Sequence, residues 1–166
     1  MHEWSQNIAL DWEKLPKGEY FFHVAPLARL KMLKRLGLVP PAAHGMEKNW
    51  DTPFYPNDRV KDRLFLFPLE KDCLGYSNFY EEKNSSIALR FRREVISGAT
   101  LYRDPGYRQN EIPRRKPYSF SAANISIPAG RLETCPAIKW DGRIKGYKSL
   151  GWVSLDQTKG PTVTVR

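Results

Sequence analysis

A strand followed directly by a cationic helix, over residues 19–38, is the feature that most constrains the fold of this chain. The run Glu-Tyr-Phe-Phe-His-Val from residue 19 is rich in aromatic and β-branched side chains, which favour a strand. Pro26 suits the first helical position, where its missing N–H would be unpaired anyway. Leucines then recur at every third position, and Gly37 suits the left-handed residue after a helix. The sequence therefore predicts a strand that ends at His23 and an amphipathic helix up to Gly37.

The remainder of the chain favours a single α+β domain over residues 19–166, preceded by an N-terminal arm or helix over residues 1–18. The length of 166 residues and the hydrophobic content of 41% suit one core of ordinary size. Helices near the start and strands afterwards indicate a mostly antiparallel, split or curved sheet, with a few helices near the N-terminal half. Short strands are predicted at 63–67, 86–92, 99–102, 118–127, 131–134 and 151–155, and a short helix within 70–84.

Several classes of protein are disfavoured by what the sequence lacks. Its apolar runs are too short for a transmembrane helix, and the polar start does not resemble a signal peptide, so we expect a cytoplasmic protein without a membrane partner. Cys73 and Cys135 are far apart, and the histidines lack metal-site spacing, so we expect no metal. The phosphate-loop, dinucleotide-turn, nucleophile-elbow and zinc-protease motifs are also missing.

The positive charge is clustered, which indicates an anionic partner. The formal net charge is +9, and residues 90–116 alone hold eight basic and three acidic side chains. Tyrosines alternate with these basic residues, a composition that suits phosphates and stacked bases of nucleic acid, notably single strands. The predicted nucleic-acid-binding residues are Arg92, Arg103, Arg108, Arg114, Arg115 and Lys116. An acidic protein partner that the chain binds and inhibits, or a merely solubilising charge, would use the same surface.

Four short segments, in the order in which they occur, carry a resemblance to a known superfamily. They are Phe22-His23-Val24-Ala25, Leu36-Gly37-Leu38-Val39-Pro40, Leu64-Phe65-Leu66-Phe67 and Ile127-Pro128. This order resembles the ADP-ribosyltransferase-like proteins, especially the small histidine-type members related to RNA 2′-phosphotransferases and DNA-modifying toxins. The resemblance spans most of residues 20–135, and it implies an NAD-dependent transferase whose acceptor is a nucleic acid or a protein.

The resemblance also implies roles for individual residues. His23, with Ala25 beside it, would bind a ribose hydroxyl of NAD, and an aromatic ring, Phe65 or Tyr80, would stack on nicotinamide. A carboxylate would stabilise the positive charge that develops as the glycosidic bond breaks. Residues 118–128, where that carboxylate usually lies, contain none, so the candidates are Glu111 and Glu133.

Two alternatives to this assignment stay open. The phosphotransferase branch uses arginines in place of the glutamate, and Arg90, Arg92 or Arg131 would then bind the ligand. His23 would otherwise pack against Tyr20 and Phe22 with no ligand. In that case the chain would be a non-catalytic, basic protein that binds nucleic acid or inhibits an acidic partner. Small size and basic charge would also suit a phage or mobile-element protein.

Overall fold

The structure is a computed structural model that describes residues 9–41, 62–81, 85–103 and 119–166. It is an α+β fold with mostly antiparallel sheets, as the sequence predicts. The strands are β1 Ala9–Leu10, β2 Tyr20–Pro26, β3 Arg63–Leu66, β4 Ser86–Arg92, β5 Leu101–Arg103, β6 Phe120–Ala123, β7 Glu133–Thr134, β8 Ala137–Asp141, β9 Gly146–Ser149, β10 Val153–Ser154 and β11 Val163–Val165. The α-helices in the described ranges are α1 Leu30–Leu36 and α2 Glu70–Glu81. Neither of these helices has the length and apolar character needed to span a membrane.

Two four-stranded sheets form the body of the fold. The first has the strand order β1-β5-β6-β3 and the second β10-β7-β4-β2, with every pairing antiparallel. A single bridge between Phe22 and Phe67 joins the two sheets, so they meet at the β2 and β3 edges. A third, smaller sheet has the order β11-β8-β9, and its β11–β8 pairing is parallel.

The two faces of the second sheet are buried in different cores, because side chains alternate along each strand. On β4, Ile87, Leu89 and Phe91 point into the larger core, where they meet the first sheet. Ala88 lies in a smaller core with Phe22, Val24, Cys73 and Leu74, beneath helix α2. The strand predicted at residues 86–92 is therefore confirmed, and its arginines lie on the side of the smaller core.

The helix after β2 is shorter than predicted and begins later. Pro26 is the last residue of the strand, a 3-10 turn covers Leu27–Arg29, and regular α-helix starts at Leu30. Pro26 therefore precedes the helix, although the sequence pattern had suggested the first helical position. The proline still ends the strand, because it has no N–H for further pairing.

Gly37 is required where helix α1 ends, for two independent reasons. Its φ of 78° is a conformation that side-chain-bearing residues rarely adopt. A Cβ atom at this position would lie 2.2 Å from the carbonyl oxygen of Ile127. Glycine has no Cβ atom, so the main chain can approach Ile127 closely at this point. The next residue, Leu38, pairs with Ile127 through two main-chain hydrogen bonds of 2.9 Å. This bridge ties the helix end to the segment that follows β6.

The described part of the N-terminal segment behaves as an arm packed on the first sheet. Strand β1 pairs with β5, and a 3-10 turn follows at Trp12–Lys14. The Trp12 indole donates a hydrogen bond of 3.1 Å to the Ala99 carbonyl oxygen, and its ring lies 5.5 Å from that of Phe21. The tryptophan therefore anchors the arm to the larger core.

Candidate functional site

The central feature of the site is a fork between strands β2 and β3. The main chains of Phe22 and Phe67 exchange hydrogen bonds of 3.0 and 2.8 Å, and no further β2–β3 ladder follows within the described residues. The next contact is made by a side chain instead, because His23 Nδ1 lies 2.7 Å from the Phe65 carbonyl oxygen. His23 is 3% exposed. The imidazole therefore lies in the fork, where the two strands separate, and its hydrogen bond to Phe65 takes the place of the next main-chain pairing.

The hydrogen bond to Phe65 fixes the tautomer of His23. A carbonyl oxygen accepts, so Nδ1 must carry the hydrogen and donate it. Burial lowers the pKa of His23 to about 4, against the opposing effect of the Phe65 hydrogen bond and with a further lowering by the nearby Arg29 guanidinium. At neutral pH the ring is therefore uncharged, and Nε2 carries a lone pair that can accept a hydrogen bond.

The main chain of Val24 adds a donor and an acceptor to the fork. Phe22 directs its N–H and C=O toward β3, and β4 is bonded by the alternate residues of β2. The N–H and C=O of Val24 consequently point to the β3 side, where the strands have separated. No described residue gives either group a hydrogen bond, although Val24 is buried. Buried main-chain groups are almost always paired, so this donor–acceptor pair can bind a partner other than the described residues.

Strand β2 and helix α1 enclose a small cavity beside the fork, with a volume of about 20 Å³. That volume is about the size needed for one water molecule. Its described lining consists of His23, Ala25, Arg29, Met32, Leu33, Gly37, Leu38 and Val39. The structure thus brings together the four segments that carry the resemblance, through the His23–Phe65 contact and the Leu38–Ile127 bridge.

Glu133 and Arg90 lie away from this cavity, because they point to the other face of the second sheet. Register pairs His23 with Leu89, whereas Arg90 is opposite both Phe22 and Glu133. Arg90 Nε donates to Glu133 Oε1 at 3.0 Å, and its guanidinium carbon lies 4.0 Å from the Tyr20 ring centre and 4.8 Å from that of Trp152. The two predicted site residues therefore form an ion pair stacked on aromatic rings, and Glu133 is separated from His23 by the sheet.

His23 likewise makes none of the packing proposed for a ligand-free histidine. Tyr20 and Phe22 project to the same face as Arg90, whereas His23 projects to the opposite face with Phe21 and Ala25. The surroundings of the imidazole are Arg29, Met32 and Leu33 instead. The interpretation that His23 packs on Tyr20 and Phe22 is wrong.

The remaining predicted residues are dispersed or lie outside the described part of the chain. Phe65 contacts His23 through its carbonyl oxygen, and its ring points away from the larger core that Leu64 and Leu66 enter. Arg92 is exposed at the end of β4, and Arg103 is exposed at the end of β5. Glu111, Arg108, Arg114, Arg115, Lys116 and the side chain of Tyr80 lie outside the described residues.

Sequence reasoning missed the Val24 main chain and the long side chains of Arg29 and Met32, before and within helix α1, that line the cavity. Main-chain groups leave no trace in residue type, so the Val24 pair had no signal. Arg29 and Met32 are four and seven residues after Ala25. They line the same cavity as Ala25 because the chain turns between β2 and α1. Among the described side chains, no group of three or more His, Cys, Asp or Glu is arranged to hold a metal ion.

Comparisons of this chain with protein-family models, with curated proteins and with solved structures find no match.

Proposed function

We propose that this chain is an NAD-dependent ADP-ribosyltransferase whose dinucleotide site is the fork at His23. The observation that carries the proposal is the set of buried hydrogen-bonding groups in that fork, of which the Val24 main chain has no partner among the described residues. A neutral imidazole, whose Nε2 can accept a hydrogen bond, adjoins the N–H and C=O of Val24, and all belong to buried residues. The reaction would transfer the ADP-ribosyl group from nicotinamide to an acceptor in a nucleic acid or a protein.

These groups fit the chemistry of NAD. A carboxamide has one acceptor oxygen and an NH₂ donor, so the N–H and C=O of one residue can bind it at two points. Val24 offers that pair, and His23 Nε2 can accept a hydrogen bond from a ribose hydroxyl. Holding both ends of the nicotinamide riboside would orient the glycosidic carbon for attack by the acceptor. A binding histidine must be neutral for this role, as burial makes His23.

The proposal has two further requirements, one for the cavity and one for a carboxylate. The cavity of about 20 Å³ holds about one water, so nicotinamide can enter only if flexible side chains such as Arg29 and Met32 move. A carboxylate must also approach the glycosidic carbon. Glu133 faces the other side of the sheet, so Glu111 is the remaining candidate from the sequence, in the segment outside the described residues.

A second candidate function, binding of nucleic acid without catalysis, is favoured by one observation. Glu133 is paired with Arg90 and faces away from His23, so no carboxylate among the described residues is shown beside the imidazole. In that case the basic surface would be the functional one. Affinity for a single strand would then fall steeply with salt, and NAD would have no effect on the protein.

The experiment that separates these candidates is thermal unfolding of the full chain with and without millimolar NAD, for the wild type and for His23→Gln. We expect NAD to raise the Tm of the wild type, because a ligand that binds the folded state stabilises it. His23→Gln should reduce NAD affinity at least tenfold, since the flexible amide does not hold its acceptor oxygen where the fixed imidazole ring holds Nε2. Catalysis is measured separately, as the release of nicotinamide detected by chromatography.

Arg143→Gln is the matched control, because Arg143 is exposed in the turn between β8 and β9. It should respond to NAD as the wild type does. Circular dichroism without NAD establishes that His23→Gln is folded. An unchanged Tm of the wild type at millimolar NAD would refute the proposal, and so would an equal shift in the wild type and His23→Gln.

A further inference from the structure

A second and larger cavity, of about 290 Å³, lies where strand β4 ends and strands β7 and β10 pair. The residues that matter in its lining are Arg92, Val95, Arg131, Leu132, Glu133 and Ser154. It shares no described lining residue with the cavity at His23. Arg92 and Glu133 reach it from the face of the second sheet opposite His23, so it is a separate site.

The charge in this cavity is positive once the existing ion pairs are taken into account. Glu133 is its acidic group, and the 3.0 Å hydrogen bond from Arg90 already compensates that charge. Arg131 is exposed, and no described side chain forms an ion pair with it. Arg92 lies 3.8 Å from Glu19, a contact between side chains that are 52% and 74% exposed. Such a pair contributes little and separates readily, which leaves two guanidinium groups for a ligand.

The other lining groups suit a phosphate that is attached to an organic moiety. Guanidinium groups bind phosphate oxygens through two parallel hydrogen bonds, with better geometry than an ammonium group. Ser154 precedes a 3-10 turn, and its hydroxyl makes no hydrogen bond to that turn. The hydroxyl can therefore donate a hydrogen bond to a phosphate oxygen. Val95 and Leu132 add apolar side chains. A volume of 290 Å³ is at the lower end for small-molecule sites and exceeds what a bare phosphate needs.

We propose that this cavity binds a phosphate group carried by a nucleotide or by a nucleic-acid strand, with Arg92 and Arg131 as its ligands. The proposal does not depend on NAD binding at His23, because the two cavities have no described lining residue in common. It assigns Arg92, which the sequence predicts to bind nucleic acid, to a defined cavity together with Arg131, which the sequence analysis names among the alternative ligand-binding arginines.

The test is calorimetric titration of the full chain at low salt with three probes: AMP, a single-stranded decanucleotide with a 5′-phosphate, and the same strand without it. We expect Arg131→Gln and Arg92→Gln each to weaken binding at least tenfold, since each removes a charge-assisted contact to phosphate. Arg143→Gln removes the same charge at a distant turn and should bind as the wild type does. His23→Gln should also leave this binding unchanged, which separates the outcome from that of the proposed function.

The two sources of phosphate give different results. Binding of AMP and of the 5′-phosphorylated strand, but not of the unphosphorylated strand, identifies a terminal phosphate or free nucleotide. Equal binding of both strands, weakened by salt and by Arg131→Gln, identifies the internal backbone. The proposal is overturned if none of the probes binds at millimolar concentration. Binding that is insensitive to Arg92→Gln and Arg131→Gln, or that is lost in His23→Gln alone, overturns it equally.

Discussion

The two faces of the second sheet place hydrogen-bonding groups in opposite settings. On one face, His23 lies beside the larger apolar core, and burial keeps the imidazole neutral. On the other face, the side chains of the Arg90–Glu133 ion pair keep 20% and 35% exposure, and the Arg90 guanidinium lies over the rings of Tyr20 and Trp152. The comparison teaches that a dry face selects uncharged groups able to bind a neutral amide or hydroxyl. The partly exposed end of the other face, beyond the smaller core, retains guanidinium groups able to bind phosphate.

Substitutions of two neighbouring residues on β4 should show the largest difference in stability between the two faces. Leu89→Ala removes a fully buried side chain from the larger core and should lower the free energy of unfolding by about 4 kcal/mol. Arg90→Ala removes a partly exposed ion pair and its stacking, and should cost about 1 kcal/mol. Urea denaturation of both variants measures the difference. Equal costs would mean that the charged face stabilises the fold as much as the apolar core does.

The pH dependence of the free energy of unfolding should show a smaller effect, which comes from the His23 face of the sheet. Unfolding raises the pKa of His23 from about 4 to the ordinary value of 6.5, so the unfolded chain binds the extra proton between those values. The stability contributed by neutral His23 is present above pH 6.5 and falls as the pH drops toward 4. Between pH 7 and pH 5 the loss should be about 2 kcal/mol.

This loss can be assigned to His23 by comparison with His23→Gln, which has no imidazole to titrate. The urea-denaturation free energy of the variant should change less between pH 7 and pH 5 than that of the wild type, by the same 2 kcal/mol. If the two proteins show the same pH dependence, the imidazole is not held neutral by burial. Arg143→Gln, which keeps His23, should follow the wild type.

Local pattern was enough to predict much of the fold. The alternation along β4 correctly assigned its two faces, and the positive φ at Gly37 follows from the helix ending there. The β8–β9 hairpin was not predicted, because its strands alternate poorly: Lys139 and Lys148 pair directly across it, and Trp140 is exposed. Asp141-Gly142 was the one turn signal available in that segment.

The candidate site was harder to predict, because its composition depends on register between distant strands. In a strand, alternation puts the Glu133 side chain opposite those of Leu132 and Thr134, and burial in the structure agrees. Whether Glu133 shares a face with His23 depends on β2–β4 and β4–β7 pairing, which a local pattern does not contain. The fork itself arises where β2–β3 pairing stops after one bridge, a long-range event that leaves no mark on either strand's sequence.

The most direct test of the account is the ¹⁵N NMR spectrum of the His23 ring, assigned through the signals missing from His23→Gln. At pH 7 we expect a protonated Nδ1 and an unprotonated Nε2, with no titration until the pH approaches about 4. Saturating NAD should shift the Nε2 resonance, since that atom would accept the new hydrogen bond. A hydrogen on Nε2, or an Nε2 resonance that millimolar NAD leaves unchanged, would contradict the account.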